Sequence, residues 1–331
     1  MISKRLILGF SFFLLLPFLD LLLGGKYQLT NVFPGIFVFT ILAVGLHIVS
    51  GLLGLLNLGM GAFMAIGAYT YAIFTVTIFP FQVGFVSGVL LASIAGMFWG
   101  CLLALPTLRV RGDYLAIVTL GFGEIVQDIL KNLEAITKGN MGLNPLPPPS
   151  FLGHEANSAN FGLYYVALFA LVIIFLWIEH IERSRLGTIW KAIGDDELAA
   201  RSCGLSVTKN RVIACGIAAS CCAVAGALYV SFLGSSGEPI NYDFQVSVMA
   251  VAMVILGGLG SLEGALFGGI IVGVVNSILL DKVAKLVTDI GIFDSNSVLA
   301  SPANWKYGIF GLMLVLTMRL KPKGLFGSRY N

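Results

Sequence analysis

The chain has 331 residues, of which 57% are hydrophobic and only 11% charged, with a mean hydropathy of +0.93 and a formal net charge of +3. The 20 Lys and Arg and 17 Asp and Glu are too few to cover a water-soluble globule of this length. An ordinary soluble enzyme and a basic nucleic-acid-binding domain are both excluded, and lipid is the main solvent of the fold.

Apolar runs of roughly 17 to 25 residues, the length at which a helix crosses the hydrocarbon core, recur along the whole chain. Ten are read: 6–23, 34–56, 58–79, 83–105, 114–130, 162–178, 212–233, 246–256, 265–280 and 307–318. Short and glycine-broken runs leave a range of about eight to eleven. The first run follows Lys4 and Arg5, yet it contains Pro17 and Asp20 and no small-residue cleavage site follows it. It therefore reads as a retained span, not a signal peptide. The expected fold is an all-α integral membrane protein of about ten transmembrane helices, forming a single membrane domain over 1–331.

Placement of Lys and Arg orients such a chain, because cytoplasmic loops carry the excess of positive charge. With the amino terminus inside, 14 of the 20 fall on the cytoplasmic side, among them Arg109, Arg111, Arg319 and Lys321. Six fall outside: Lys26, Lys131, Lys138, Lys282, Lys285 and Lys306. Both termini are then cytoplasmic, 131–160 is the long external loop with Pro145, Pro147, Pro148 and Pro149, and 179–211 is a cytoplasmic loop. The five cysteines, Cys101, Cys203, Cys215, Cys221 and Cys222, have no metal-ligand spacing.

The cytoplasmic loop includes "RSRLGTIWKAIGDDELAARSCGLSVTKNR", a charged island between two apolar stretches. A first helical turn around Ile189, Trp190 and Ile193 is expected to stop at Gly194. Asp195 or Asp196 then caps a second helix, which stops at Gly204. Within it Glu197, Ala199 and Ala200, then Gly204, resemble the cytoplasmic "EAA" element of ATP-driven importer permeases, whose short helix docks on a separate ATPase subunit. The resemblance continues through "LNLGMGAFMAIGAYT" at 56–70, "GDYLAIVTLGFGEIVQ" at 112–127, "GGLGSLEGALFG" at 257–268 and "KPKGLFG" at 321–327. In this order, the stretches are similar to the branched-chain amino acid permeases of the LivM type. "TKGNMGL" at 137–143 departs from that pattern, which has two adjacent glycines and a serine before the final "GL".

The resemblance implies a permease subunit of an ATP-binding cassette importer in the bacterial inner membrane. It would pair with a related second permease subunit, two ATPase subunits that use ATP and Mg, and an external substrate-binding protein. It implies no cofactor bound by this chain, no metal and no nucleic-acid partner. It places ATPase coupling on Trp190, Glu197, Leu198, Arg201 and Gly204. The residues agree that ATP chemistry belongs elsewhere: no GxxxxGK followed by Ser or Thr occurs, and the GGK at 24–26 is followed by Tyr27.

Polar residues in or beside the spans are candidates for a substrate pathway: Asn57, Thr119, Glu124 and Gln127. Glu124 carries the largest energetic risk, since a carboxylate in hydrocarbon costs roughly 2.5 to 3.5 kcal/mol on the milder insertion scale. Gln127, three residues on, is expected on the same helical face. "VILGGLGSLEG" at 254–264 imitates a dinucleotide fingerprint, but its last glycine is one position late and its flanks are lipid-length apolar segments. Gly260, Gly264 and Gly268, at four-residue spacing, instead read as a surface for close helix packing. "GLLGLL" at 51–56 echoes "GGLGSL" at 257–262 as a trace of an internal repeat. Three other readings stay open from the residues alone: a urea or short-chain amide permease on the same plan, an ion-coupled secondary transporter, and a structural membrane subunit without a pathway.

Overall fold

Lipid offers no hydrogen bonds, so a chain of this composition satisfies its backbone within each segment, and helices dominate the fold. The computed structural model describes residues 4–22, 29–80, 82–107, 110, 113–151, 154–155, 161–279, 308, 311–312, 315–316, 319–321 and 324–326. The helices are α1 (Lys4–Leu22), α2 (Leu29–Leu46), α3 (Met60–Thr75), α4 (Phe85–Thr107), α5 (Asp113–Asn132) and the single turn α6 (Glu134–Thr137). They continue with α7 (Gly162–Arg183), α8 (Arg185–Asp195), α9 (Glu197–Ser202), α10 (Val207–Leu233), α11 (Phe244–Gly257) and α12 (Leu262–Val274). α2 ends in a π-helical segment, His47–Leu52, and α12 in another, Val275–Leu279. A minimal hairpin pairs β1 (Ser150–Phe151) with β2 (His154–Glu155).

Among the described residues, five helical segments are long and apolar enough to cross a membrane: Thr30–Leu52, Phe85–Thr107, Gly162–Arg183, Val207–Leu233 and Pro239–Gly257. Met60–Thr75 and Leu262–Ile278 are apolar but shorter. The first nine predicted runs each coincide with a described helix, whereas the tenth, 307–318, lies mostly outside the described residues. α5 is the polar exception among them, because Glu124, Asp128 and Lys131 interrupt its apolar surface.

α2 and α10 are the most buried of the five long spans, and they pack against each other. α10 also packs on α3 and α4, while α2 packs on α11 and α12; α3 pairs with α4 as α11 pairs with α12. Exchanging α2, α3 and α4 for α10, α11 and α12 leaves this pattern unchanged. The two trios run in opposite directions, since α2 ends where α10 begins: Val49 and Leu55 line one cavity with Arg211 and Cys215 of the first turns of α10. In this correspondence the segment after α2 matches the one after α10, so the echo between 51–56 and 257–262 does not follow the packing.

Glycine sets the closest helix crossings. A side-chain carbon added at Gly226 of α10 would lie 1.9 Å from the carbonyl oxygen of Met64 on α3, so only hydrogen lets these backbones meet. Gly264 and Gly268 act alike on α12, facing the backbone at Gly257 and Met253 of α11. Gly260 departs from the expected packing stripe. It precedes α12 in a turn with φ of +84°, a conformation that glycine reaches without strain. The same turn is covered by Leu325 and Phe326, whose amides donate to Leu256 and Gly257 at 3.0 Å, while Phe326 stacks on Phe267.

The described loops gather at two ends. One, the island end, holds Leu52–Gly59, Ser184–Ser206, Gly258–Ser261 and Gly324–Phe326. At the opposite end, Leu143 and Ser236 exchange hydrogen bonds, Leu143 N donating to Ser236 Oγ at 2.7 Å and Ser236 N to Leu143 O at 3.1 Å. Tyr69 and Tyr242 donate their hydroxyls to the Gly237 and Ser236 carbonyls there.

Candidate functional site

The island is two short helices with opposite exposures. Ser184 caps α8, its hydroxyl accepting from Leu186 N, and α8 buries Gly187, Trp190 and Ile193 along one face. The helix does not stop at Gly194 as expected but runs to Asp195. Gly194 is instead a contact position, where an added side-chain carbon would lie 2.4 Å from Leu52 O. Asp196 is the cap of α9, its Oδ1 accepting from Leu198 N at 2.8 Å and Ala199 N at 3.0 Å. Gly204, with φ of +81°, ends the unit in the left-handed conformation.

The five residues assigned to coupling therefore have different surroundings. Leu198 is 70% exposed, a large apolar side chain on a charged helix, and Trp190 is fully buried. Trp190 cannot touch another subunit directly; it fixes α8 to the body of the protein. Glu197 is turned along and inward: its Oε1 pairs with Arg201 at 2.6 Å and its Oε2 with Arg211 of α10 at 2.8 Å. Arg201 keeps an exposed flank, and Gly204 supplies the turn.

Of the pathway candidates, Asn57 and Thr119 come together. Thr119 Oγ1 accepts from Leu58 N at 3.0 Å, and Asn57 Oδ1 accepts from Gly59 N at 2.8 Å. Both line a small cavity at the island end with Phe63, Leu103, Cys215 and Arg211. Glu124 and Gln127 do not share an environment, contrary to expectation. Gln127 is turned into the protein, whereas Glu124 stands on the outward stripe of α5 with Tyr114, Ile117, Ile125 and Ile129. The 60° between positions three apart suffices to put one on each side of the burial boundary.

One cluster escaped the sequence reading. His47, fully buried in the π segment, has Nε2 3.5 Å from Glu182 Oε2 at the end of α7, and Lys191 of α8 reaches Glu182 Oε1 at 2.9 Å. The available signal was an ionisable residue inside the apolar run 34–56, which lipid penalises unless it is partnered. Among the described residues no group of three His, Cys, Asp or Glu could hold a metal ion.

Residues 28–318 match the family described as "Branched-chain amino acid transport system / permease component". The chain belongs to that family. The high-affinity branched-chain amino acid transport system permease protein LivM of Salmonella typhimurium is 35% identical over 310 residues, 87% of this chain and 67% of the relative. LivM of Escherichia coli K12 is equally similar over the same shares. LivH of the same Escherichia coli system, a second permease protein, is 23% identical over 324 residues, 91% of this chain and 96% of the relative. No solved structure matches the chain. Permeases of this family are the non-catalytic membrane component of their transporters.

Proposed function

We propose that this chain is the permease subunit of an ATP-binding cassette importer that moves leucine, isoleucine and valine into the cytoplasm. The similarity to LivM over 87% of the chain carries the reading. The geometry of the island supports it: an exposed Leu198 on a capped, glycine-terminated helix fits a groove on a separate ATPase subunit. In this reading the island end is cytoplasmic, 179–211 is the coupling loop, 131–160 is external, and about ten spans leave both termini inside. The protein then belongs to a bacterial inner membrane.

The partners follow from the same reading. A related second permease covers the outward stripe of α5, where Glu124 would otherwise face lipid without a partner. The substrate pathway runs between the two permeases along that stripe. Two ATPase subunits supply ATP and Mg chemistry, and an external binding protein delivers the amino acid. The branched-chain family match favours this reading over urea, short amides and ion-coupled transport.

The test is reconstitution of the chain with a LivH-like second permease, two ATPase subunits and an external branched-chain amino acid binding protein of the same organism. Leucine uptake that requires ATP hydrolysis is the expected result. Uptake of urea or acetamide but not leucine would overturn the substrate, and uptake driven by an ion gradient without ATP hydrolysis would overturn the class.

A further inference from the structure

The cluster of His47, Glu182 and Lys191 joins three elements of different standing. His47 belongs to α2, the central membrane helix; Glu182 closes α7; Lys191 lies on α8, the anchored half of the island. The Glu182 side chain is only 10% exposed, and Lys191 Nζ meets its carboxylate at 2.9 Å, while the buried His47 imidazole lies against the other oxygen at 3.5 Å without a hydrogen bond. His47 meets it at the point where α2 widens into a π segment, a rare backbone form that is frequent at functional sites. Gly51 makes that placement possible: a side-chain carbon there would lie 2.3 Å from His47 Nδ1.

The π segment is tied in both directions. On one side Gly194 of α8 rests on the Leu52 carbonyl. On the other, Leu55 N donates to Val49 O at 3.1 Å, Ser50 Oγ donates to Leu55 O at 3.0 Å, and Leu58 N donates to Thr119 Oγ1 on α5 at 3.0 Å. A hydrogen-bonded segment thus runs from the underside of the island to the helix that carries Glu124.

We propose that His47, Glu182 and Lys191 are positioning residues that pin α8 to the broken end of α2, so that displacement of the island is delivered through residues 47–59 to α5. Direct packing of Gly194 on Leu52 transmits compression, and the Lys191–Glu182 pair with His47 transmits the return pull. The assignment rests on the reading of the island as the ATPase contact. It makes uptake per ATP hydrolysed, and not assembly or hydrolysis alone, the quantity that depends on the cluster.

The experiment uses the reconstituted importer and measures leucine uptake per ATP hydrolysed. Three variants are compared: Glu182→Gln with Lys191→Met, which removes both charges and leaves neither orphaned; Gly51→Ala, which displaces the imidazole with no change of charge; and Lys191→Arg, which keeps the pair. The first two should retain the ATPase subunits and lose roughly tenfold in the ratio, while Lys191→Arg stays near wild type. Ratios within about twofold of wild type for whichever of the first two assembles would overturn the pin. A wild-type complex with no ATP-driven uptake would instead overturn the importer reading.

Discussion

α8 and α9 are neighbours in one loop, similar in composition, and opposite in role. α8 puts Trp190, Ile193 and two close-contact glycines against the protein, whereas α9 buries only Ala200 and turns Leu198 outward. Burial of an indole stabilises the fold, and exposure of an isolated leucine on a charged helix stabilises nothing until something covers it. On the proposed reading the two helices divide the coupling task, α8 gripping the membrane domain and α9 presenting a surface to the ATPase subunit. Glu197 links them to α10 through Arg211, so that the presented surface is not free to swing.

Substitutions at each helix separate these roles. Trp190→Ala empties the largest buried site in the island and should cost about 3–5 kcal/mol of stability, read as a lower melting temperature of the detergent-solubilised chain. Trp190→Phe sharpens the point: the indole Nε1 has no hydrogen-bond partner among the described residues, so loss of the N–H should cost less than about 1.5 kcal/mol. Leu198→Asp should leave the melting temperature unchanged but weaken ATPase retention by about 2 kcal/mol or more, roughly a thirtyfold loss in co-purification titrations. Equal thermal losses from Leu198→Asp and Trp190→Ala would erase the division of labour.

The cap and the stop of α9 come next in size. Gly204 has open space around it, so Gly204→Val is penalised only by its φ of +81°, about 1–2 kcal/mol. Asp196→Ala removes the carboxylate oxygen that accepts from two backbone amides and should cost about 1 kcal/mol. Both effects should appear as faster backbone amide exchange confined to 196–205, with α8 protected as in the wild type. Exchange that rises equally across α8 would show that the two helices stand or fall together.

How far the sequence reveals this arrangement depends on whether the cause is local. Asp196, Gly204 and Ser184 obey capping rules that act within four residues, and the end of α9 is legible for that reason. Apolar length alone marks nine helices, including α5 with its interrupted surface. Which side of a helix is covered is decided by distant partners. Trp190 and Leu198 look alike in sequence as apolar residues among charges, and only the packing of α8 against α10 and the end of α2 distinguishes them. Gly260 shows the same limit in the backbone, because four-residue spacing fits a helix face and a turn followed by a helix equally well. The π segment at His47–Leu52 has no local signature; it lies where α8, α10 and α12 meet the end of α2.

The most direct test of the central claim is site-specific cross-linking in the assembled importer, with the native Cys203 replaced. Leu198→Cys and Lys138→Cys are each treated with a short thiol-reactive photo-cross-linker, and the attached partner is identified by mass spectrometry. Position 198 should capture an ATPase subunit, and position 138, at the opposite end of the bundle, should capture the external binding protein or nothing. An ATPase subunit captured from 138 and not from 198 would contradict both the role of α9 and the side of the membrane on which it lies.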